Sequence, residues 1–217
     1  MRRASVGRSG PPFDGRCGKV YIFPNMRTRA ENGTVDAALA ARLLAVRSER
    51  GLSLDQAAEL SGVSRATLSR TERGETSPTA HVLGRLSAAY GITLSALLGG
   101  LDEARPSVMS RDQAGFWTDP ETGFRRWSIS PPARGYDIEL IWAELPAGAR
   151  IEYPAPAYSG MEQHIVLFEG ALRYETDGAT YQLAVKDSLR IKIHNESALE
   201  SCGRGPAKYL LAVRSSQ

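Results

Sequence analysis

The sequence predicts an all-α bundle of five short helices followed by an all-β barrel or sandwich. Two observations predict this division. Residues 35–100 place apolar side chains at helical spacing between glycine stops. From Gly115 onward, short segments rich in Trp, Tyr, Ile, Val and Leu recur roughly every ten residues between Gly, Pro, Asn and Asp. The 217 residues are enough for two small domains of these two kinds.

The helix boundaries in residues 35–100 are predicted from N-capping serines and terminating glycines. Ser53 and Ser64 are good N-caps, and Gly51 and Gly74 end the helices that precede them. The predicted helices span about Asp36–Arg50, Ser53–Leu60, Ser64–Arg73, Thr79–Tyr90 and Thr93–Leu98.

The second part is read from its β-rich segments. A charged and polar stretch, residues 101–112, predicts a linker, so the helical domain is placed at 35–100 and the β domain at 113–217. The clearest predicted strands are Arg125–Ser130, Ile138–Leu145, His164–Phe168, Ala171–Thr176, Ser188–Ile193 and Tyr209–Val213.

Composition predicts a globular cytoplasmic protein that does not contact membranes. The chain is 42% hydrophobic and 24% charged, and no apolar run approaches the roughly 18 residues that span a bilayer. The N-terminal arginines are not followed by an apolar stretch, which argues against a secretory signal. Cys17 and Cys202 lie far apart and form no disulfide framework.

The positive charge is concentrated at the N-terminus. Residues 1–34 hold seven Arg/Lys against two acidic residues, a net charge of +5, and the remainder of the chain carries −2. This segment is rich in Gly, Pro, Ser and Arg, so we expect a disordered arm. It is either a dispensable extension or a basic arm that binds phosphates nonspecifically.

The segment SLDQAAELSGVSRATLSRTERGETSP predicts a helix-turn-helix, with a helix from Ser53, a Gly-containing turn and a second helix from Ser64. Val63 and Leu68 face the core, so the polar residues between them form an exposed face. Arginines on such a face can make paired hydrogen bonds to guanine, and serines can contact phosphates. The predicted DNA-contacting residues are Ser53, Ser64, Arg65, Ala66, Thr67, Ser69, Arg70, Arg73 and Ser77.

This segment resembles the helix-turn-helix of the phage-repressor (XRE) family over about 60 residues. The resemblance implies base contacts from the start of the recognition helix, at Arg65, Ala66, Thr67 and Arg70. It also implies an ion pair between Arg47 and Glu72. Residues 35–100 carry seven arginines against six acidic residues, so phosphate affinity is modest per subunit. We therefore expect a homodimer on a two-fold double-stranded DNA operator.

The segment SGMEQHIVLFEGALRYETDGATYQLAVKDSLRIKI resembles the core of a cupin barrel. Metal-binding cupins use three histidines and a glutamate, and the glutamate position falls on Gln163 here, while the histidine positions also lack histidine. We therefore expect no metal, no cofactor and no catalysis. His164, His194 and Glu162 could substitute only if the strand register slipped by one residue, because alternation otherwise points Glu162 and His164 outward.

A barrel without metal can still bind a small molecule in an apolar pocket with a few polar groups. The loop of residues 153–160 is expected near the barrel mouth. These observations predict a transcriptional regulator whose barrel senses a small-molecule effector, dimerises, or does both. The alternatives are a metal-dependent cupin enzyme with a DNA-binding domain and a barrel that serves only as a dimerisation scaffold. The predicted ligand-binding residues are Trp127, Trp142, Tyr158, Gln163, Arg173 and Tyr181.

Overall fold

The computed structural model of the protein describes residues 32–99, 108–109, 114–133 and 135–214. The predicted arm lies outside this part of the chain apart from its last three residues, and of the predicted linker only residues 108 and 109 are described. Among these described residues five helices come first, as predicted. They are α1 (Asn32–Glu49), α2 (Leu54–Ser61), α3 (Arg65–Glu72), α4 (Ala80–Tyr90) and α5 (Leu94–Gly99).

Side-chain caps set where the middle helices begin. The Ser53 hydroxyl accepts the Gln56 N–H and the Gln56 side chain accepts the Ser53 N–H, which makes a capping box at the start of α2. Ser64 accepts the Thr67 N–H at the start of α3. Gly62 ends α2 at φ 64°, a left-handed conformation, and so forms the turn of a helix-turn-helix.

The strands number ten in the part of the chain that the structure describes, and they overlap all six segments singled out from the sequence, with Ala171 lying just before its strand. They are β1 (Gly115–Thr118), β2 (Arg125–Ser130), β3 (Ile138–Leu145), β4 (Arg150–Tyr153), β5 (Met161–Glu169), β6 (Leu172–Thr176), β7 (Ala179–Leu183), β8 (Ser188–Ile193), β9 (Ser197–Ser201) and β10 (Ala207–Arg214).

The strands form two antiparallel sheets. One sheet has six strands in the order β1-β2-β3-β10-β5-β8, and the other has four in the order β4-β9-β6-β7. Buried side chains such as Leu167, Tyr174 and Tyr209 contribute to the core of the β region. Gly170 turns β5 toward β6 at φ +81°, and a Cβ there would lie 2.5 Å from the carbonyl oxygen of Pro206, so only glycine fits.

The helices pack directly on the barrel. A Cβ on Gly84 of α4 would lie 2.8 Å from Pro154 Cδ, which shows how closely that helix approaches the loop after β4. The buried Asp119 accepts the Ala80 N–H at the start of α4, with an N···O distance of 3.4 Å. Residues of both parts share one apolar cluster. Among the helices of the described residues, none is long and apolar enough to cross a membrane.

Candidate nucleic-acid interface and barrel cavity

Helix α3 turns one face inward and leaves the other accessible. Leu68 and Thr71 are buried against the neighbouring helices. Arg65, Ala66 and Arg70 are exposed. Thr67 and Ser69 are half-buried and Arg73 is exposed, so these predicted DNA-contacting residues of α3 and its C-cap form one continuous polar face.

Two arginines of this face hold exposed carboxylates. Arg65 Nε lies 2.9 Å from Asp55 Oδ1 of α2. Arg73 Nε lies 2.6 Å from Glu75 Oε1, and Arg73 also donates to the Ser69 hydroxyl. The hydrogen bond between Arg73 and Glu75 lowers the pKa of Glu75 and raises the pKa of Arg73. Because exposed ion pairs are weak, a phosphate or a guanine edge can displace these carboxylates at small cost.

The two serines predicted to contact phosphates, Ser53 and Ser77, and the predicted DNA-contacting Ser64 each lie shortly before a helix. Ser53 and Ser64 are exposed and cap α2 and α3 through their oxygens. The Ser64 hydroxyl also lies 2.8 Å from the Thr67 hydroxyl. Ser77 is half-buried before α4. A capping oxygen that accepts a backbone N–H keeps its own O–H as a donor, so capping and phosphate contact are compatible.

An ion pair joins α3 to α1. Arg47 contacts both carboxylate oxygens of Glu72 at 2.7 Å, and its Nη1 donates to the Leu52 carbonyl at 2.7 Å. The Glu72 hydrogen bond raises the pKa of Arg47. Both side chains are largely buried, so the pair fixes α3 against the first helix and the loop after it.

A cavity of about 100 Å³ opens inside the barrel beneath the helices. Gly84 and Ser87 of α4, with Thr93 and Leu94 at the start of α5, form one wall. Tyr153 at the end of β4 and residues 154–157 of the following loop also line the cavity, so the loop lies near the barrel interior as the sequence predicts. The remaining walls come from inward-facing residues of the sheets, so helices and barrel enclose the same space.

Polar groups sit among the apolar walls of this cavity. Tyr174 donates to Gln163 Oε1 at 3.3 Å, and burial raises the pKa of the Tyr174 hydroxyl. Burial also raises the pKa of Tyr153 to about 12. Arg126 and Glu139 line the same space and are buried. This mixture of apolar wall and few polar groups is typical of a small-molecule site.

Gln163 lines the cavity, whereas the other five predicted ligand-binding residues lie elsewhere. Trp127 and Trp142 point to the opposite face of the sheet, where their rings lie 4.8 Å from Phe116 and 5.4 Å from Phe168. The reason is strand alternation, since their neighbours Arg126, Ile141 and Ala143 face inward.

The last three predicted ligand-binding residues have positions of their own outside the cavity walls. The Tyr158 hydroxyl donates to the Arg214 carbonyl. Arg173 pairs with Glu200 at 2.8 Å. Tyr181 is exposed on β7.

Arg126 and Glu139 are the cavity residues that sequence reasoning missed. A signal existed, because Glu139 shares its strand parity with the buried Ile141, Ala143 and Leu145. A charged residue at an inward position of a strand needs a partner, and that requirement marks it as a candidate for function.

The residues weighed as a non-standard metal site point to the surface. His164 Nε2 lies 2.9 Å from Glu162 Oε1 with both side chains partly exposed, and His194 Nδ1 lies 2.8 Å from the Ser159 hydroxyl. The contact with His164 lowers the pKa of Glu162. Within the described ranges, three or more His, Cys, Asp or Glu side chains nowhere converge as a metal site requires.

The exposed α3, its capped turn and the attached barrel define a helix-turn-helix DNA-binding regulator with a C-terminal β domain. The helix-turn-helix family HTH_3 matches residues 43–97. The transcriptional regulator SutR of Escherichia coli is 29% identical over 158 residues, which cover 70% of this chain and 80% of SutR. The regulator DdrOP3 of Deinococcus deserti is 35% identical over 88 residues, which cover 39% of this chain and 68% of DdrOP3.

The chain belongs to the HTH_3 (XRE) family of helix-turn-helix transcriptional regulators. The whole architecture is also similar to a solved structure. An HTH_3 family transcriptional regulator from Vibrio cholerae superposes with a TM-score of 0.70 at 23% identity, over 85% of this chain and 98% of that one. That similarity extends the shared fold from the helices into the barrel.

Proposed function

We propose that this regulator binds operator DNA as a homodimer through α3 and senses a small effector in the barrel cavity. The observation that carries the sensing role is the shared wall, since an occupant would touch Gly84, Ser87 and Leu94 of the helical part as well as the barrel. A ligand shifts an equilibrium only by its differential contacts with two states. An occupant that touches both the helices and the barrel loses or gains contacts whenever the helices move relative to the barrel, so it binds the two arrangements with different affinity.

The route from cavity to DNA is short. Arg126 of the barrel donates to the Ser95 hydroxyl of α5. Helix α5 packs on α1, and α1 packs on α3 both directly and through the Arg47–Glu72 pair. An effector that repositions α5 would therefore act on the placement of α3, and in a homodimer on the spacing of two recognition helices.

We assign binding rather than catalysis to the barrel. The glutamate position of metal-binding cupins holds Gln163, whose carbonyl oxygen accepts from Tyr174. The outward His164 contacts Glu162 at the surface. Stoichiometric iron, manganese or zinc in the purified protein would instead favour a metal-dependent cupin enzyme.

The DNA-binding role is tested with two arginine variants. Arg65→Ala and Arg70→Ala should abolish the preference for the operator over unrelated DNA, because a good bidentate contact contributes about 1–3 kcal/mol of discrimination. Arg190→Ala, which removes an exposed arginine from the barrel, is the matched control and should keep the preference. Fluorescence anisotropy with both DNAs measures it, and arginine variants that retain full operator preference would contradict the assignment.

The sensing role is tested with a metabolite library. A binding compound should raise the melting temperature and change operator affinity. A barrel that serves only as a dimerisation scaffold would show neither effect with any compound.

A further inference from the structure

Two oppositely charged side chains face the cavity without pairing to each other. Glu139 is 1% exposed and Arg126 is 7% exposed, and both line the cavity. Between these two described side chains the structure records no ion pair within 4.0 Å. The cavity therefore holds a separated positive and negative group in its wall.

Each of these groups has a buried atom without a partner among the described residues. Arg126 Nε is a donor that no acceptor contacts, and Glu139 Oε2 is an acceptor that no donor contacts. The one side-chain hydrogen bond of Arg126 in the structure goes to the Ser95 hydroxyl, which carries no charge. Burying a charged group without a charged partner is costly, so an occupant that places the opposite charge beside each of these two cavity-lining side chains would offset part of that cost.

The protonation behaviour of Glu139 agrees with this geometry. Burial raises its pKa, and the charge of Arg126 and the hydroxyls of Ser95 and Thr93 lower it only in part. A cationic group placed against Glu139 would favour its ionised form further.

The size of the cavity limits the occupant. An engineered apolar cavity of about 150 Å³ accepts benzene, which has six carbon atoms. A cavity of about 100 Å³ therefore suits a molecule of about that size or smaller. Ile141, Met161 and Leu211 line the rest of the space, so a short apolar part of the occupant would also be covered.

We propose that the cavity binds a small zwitterion whose anionic group pairs with Arg126 and whose ammonium group pairs with Glu139. This inference rests on the proposed sensing function and names the chemical class of its effector. A carboxylate matches the planar guanidinium, and an ammonium group matches a carboxylate. A ligand that carries both charges would place a charged partner beside each of the two cavity-lining side chains.

The test compares three small probes, each of which keeps or lacks one charged group, on the full chain by isothermal titration calorimetry. Alanine carries both charges, propionate lacks the ammonium group, and ethylamine lacks the carboxylate. We expect alanine to bind at least about tenfold more tightly than either of the others, because each lost charged contact leaves a buried group unpaired. Propionate or ethylamine binding as tightly as alanine would overturn the proposal in favour of a single-charge site.

Variants locate the binding in the cavity. Arg126→Gln and Glu139→Gln should each weaken alanine binding at least about tenfold, whereas Arg190→Gln on the barrel surface should leave it unchanged. The probe comparison on the unmodified protein stands even if a cavity variant fails to fold. Unchanged alanine binding in both folded variants would overturn the proposal.

The failure of this inference differs from the failure of sensing itself. If no probe binds while a neutral or singly charged library compound raises the melting temperature and changes operator affinity, sensing stands and the zwitterion is wrong. If no compound of any class binds, both fail.

Discussion

The recognition face and the cavity both use arginine, but in opposite environments. Arg65 and Arg73 lie at the surface, each against an exposed carboxylate. Arg126 is buried, and its side-chain hydrogen bond goes to a neutral hydroxyl. The ion pairs of the surface arginines contribute little to stability, because water already solvates these side chains. The buried arginine has lost its water and faces a space where a partner fits.

This difference separates two modes of binding. At the surface, DNA phosphates replace the exposed carboxylates as partners of the arginines. The affinity for DNA therefore depends on salt and on the sum of many weak ionic contacts. In the cavity, a ligand would supply contacts that nothing else makes, so selectivity depends on a few groups. The Arg47–Glu72 pair lies between the extremes, largely buried and fully paired.

Breaking that intermediate pair should have the largest effect on stability. Arg47→Ala leaves the carboxylate of Glu72 largely buried with its main partner gone. We expect a loss of about 3 kcal/mol in the free energy of unfolding by urea. The control, Arg190→Ala, removes an exposed arginine and should stay within about 0.5 kcal/mol. A loss below about 1 kcal/mol in Arg47→Ala would place the pair with the surface contacts instead.

Gly84→Ala should loosen the contact between the helices and the barrel. The new Cβ would lie 2.8 Å from Pro154 Cδ and 3.1 Å from Tyr153 Cδ1, so one side must shift. Overpacking typically costs about 1–3 kcal/mol, and the gain in helix propensity offsets up to about 1 kcal/mol. We expect a net loss of about 1–2 kcal/mol in urea unfolding.

The matched control for that variant is Gly205→Ala, because a Cβ at Gly205 meets no atom within 4 Å. It should leave the free energy of unfolding nearly unchanged. A Gly84→Ala variant as stable as this control would show that α4 does not press on the barrel in solution.

Replacing Glu139 should change how stability depends on pH. The pKa of Glu139 in the folded protein is raised above 4.5. Below pH 4.5 its carboxyl group is therefore protonated in both the folded and the unfolded protein and does not destabilise the fold. As pH rises through the folded pKa, the buried carboxylate ionises and the native protein loses stability. Glu139→Gln lacks this loss, so its stability relative to the unmodified protein should rise as pH increases above 4.5.

Thermal melts across that pH range measure the effect of Glu139→Gln. Glu59→Gln, an exposed change on α2, is the control and should give a nearly constant difference. A constant difference for Glu139→Gln as well would mean that its carboxyl group is solvated in the folded protein.

The helical part could be predicted closely from sequence because its signals are local. Ser53, Ser64 and Gly62 mark the ends of helices through contacts with residues three or four positions away. The inward position of Gln163 was expected from the resemblance to a cupin barrel, whose glutamate position falls on this residue, and alternation along β5 then placed Glu162 and His164 outward.

The cavity was less predictable because both faces of its large sheet are covered. Strand β2 buries Arg126, Trp127 and Ser128 in succession, so burial no longer alternates there. Where both faces are buried, a pattern of apolar residues cannot tell inside from outside. The sequence predicts that Trp127 lines an apolar pocket, whereas in the structure its neighbour Arg126 lines the cavity. The helical wall of the cavity depends on long-range packing at Gly84, which has no local sequence signal.

The smallest effect is expected for the exposed ion pair between Arg65 and Asp55. Asp55→Asn removes the carboxylate held by Arg65, and because both groups are well exposed the stability change should stay below about 1 kcal/mol. The freed Arg65 should raise affinity for DNA a few-fold at low salt, and the gain should disappear at high salt. Anisotropy at two salt concentrations measures it. Glu59→Gln removes a charge from the same helix, and an equal gain there would show that net charge, and not the Arg65 contact, sets the affinity.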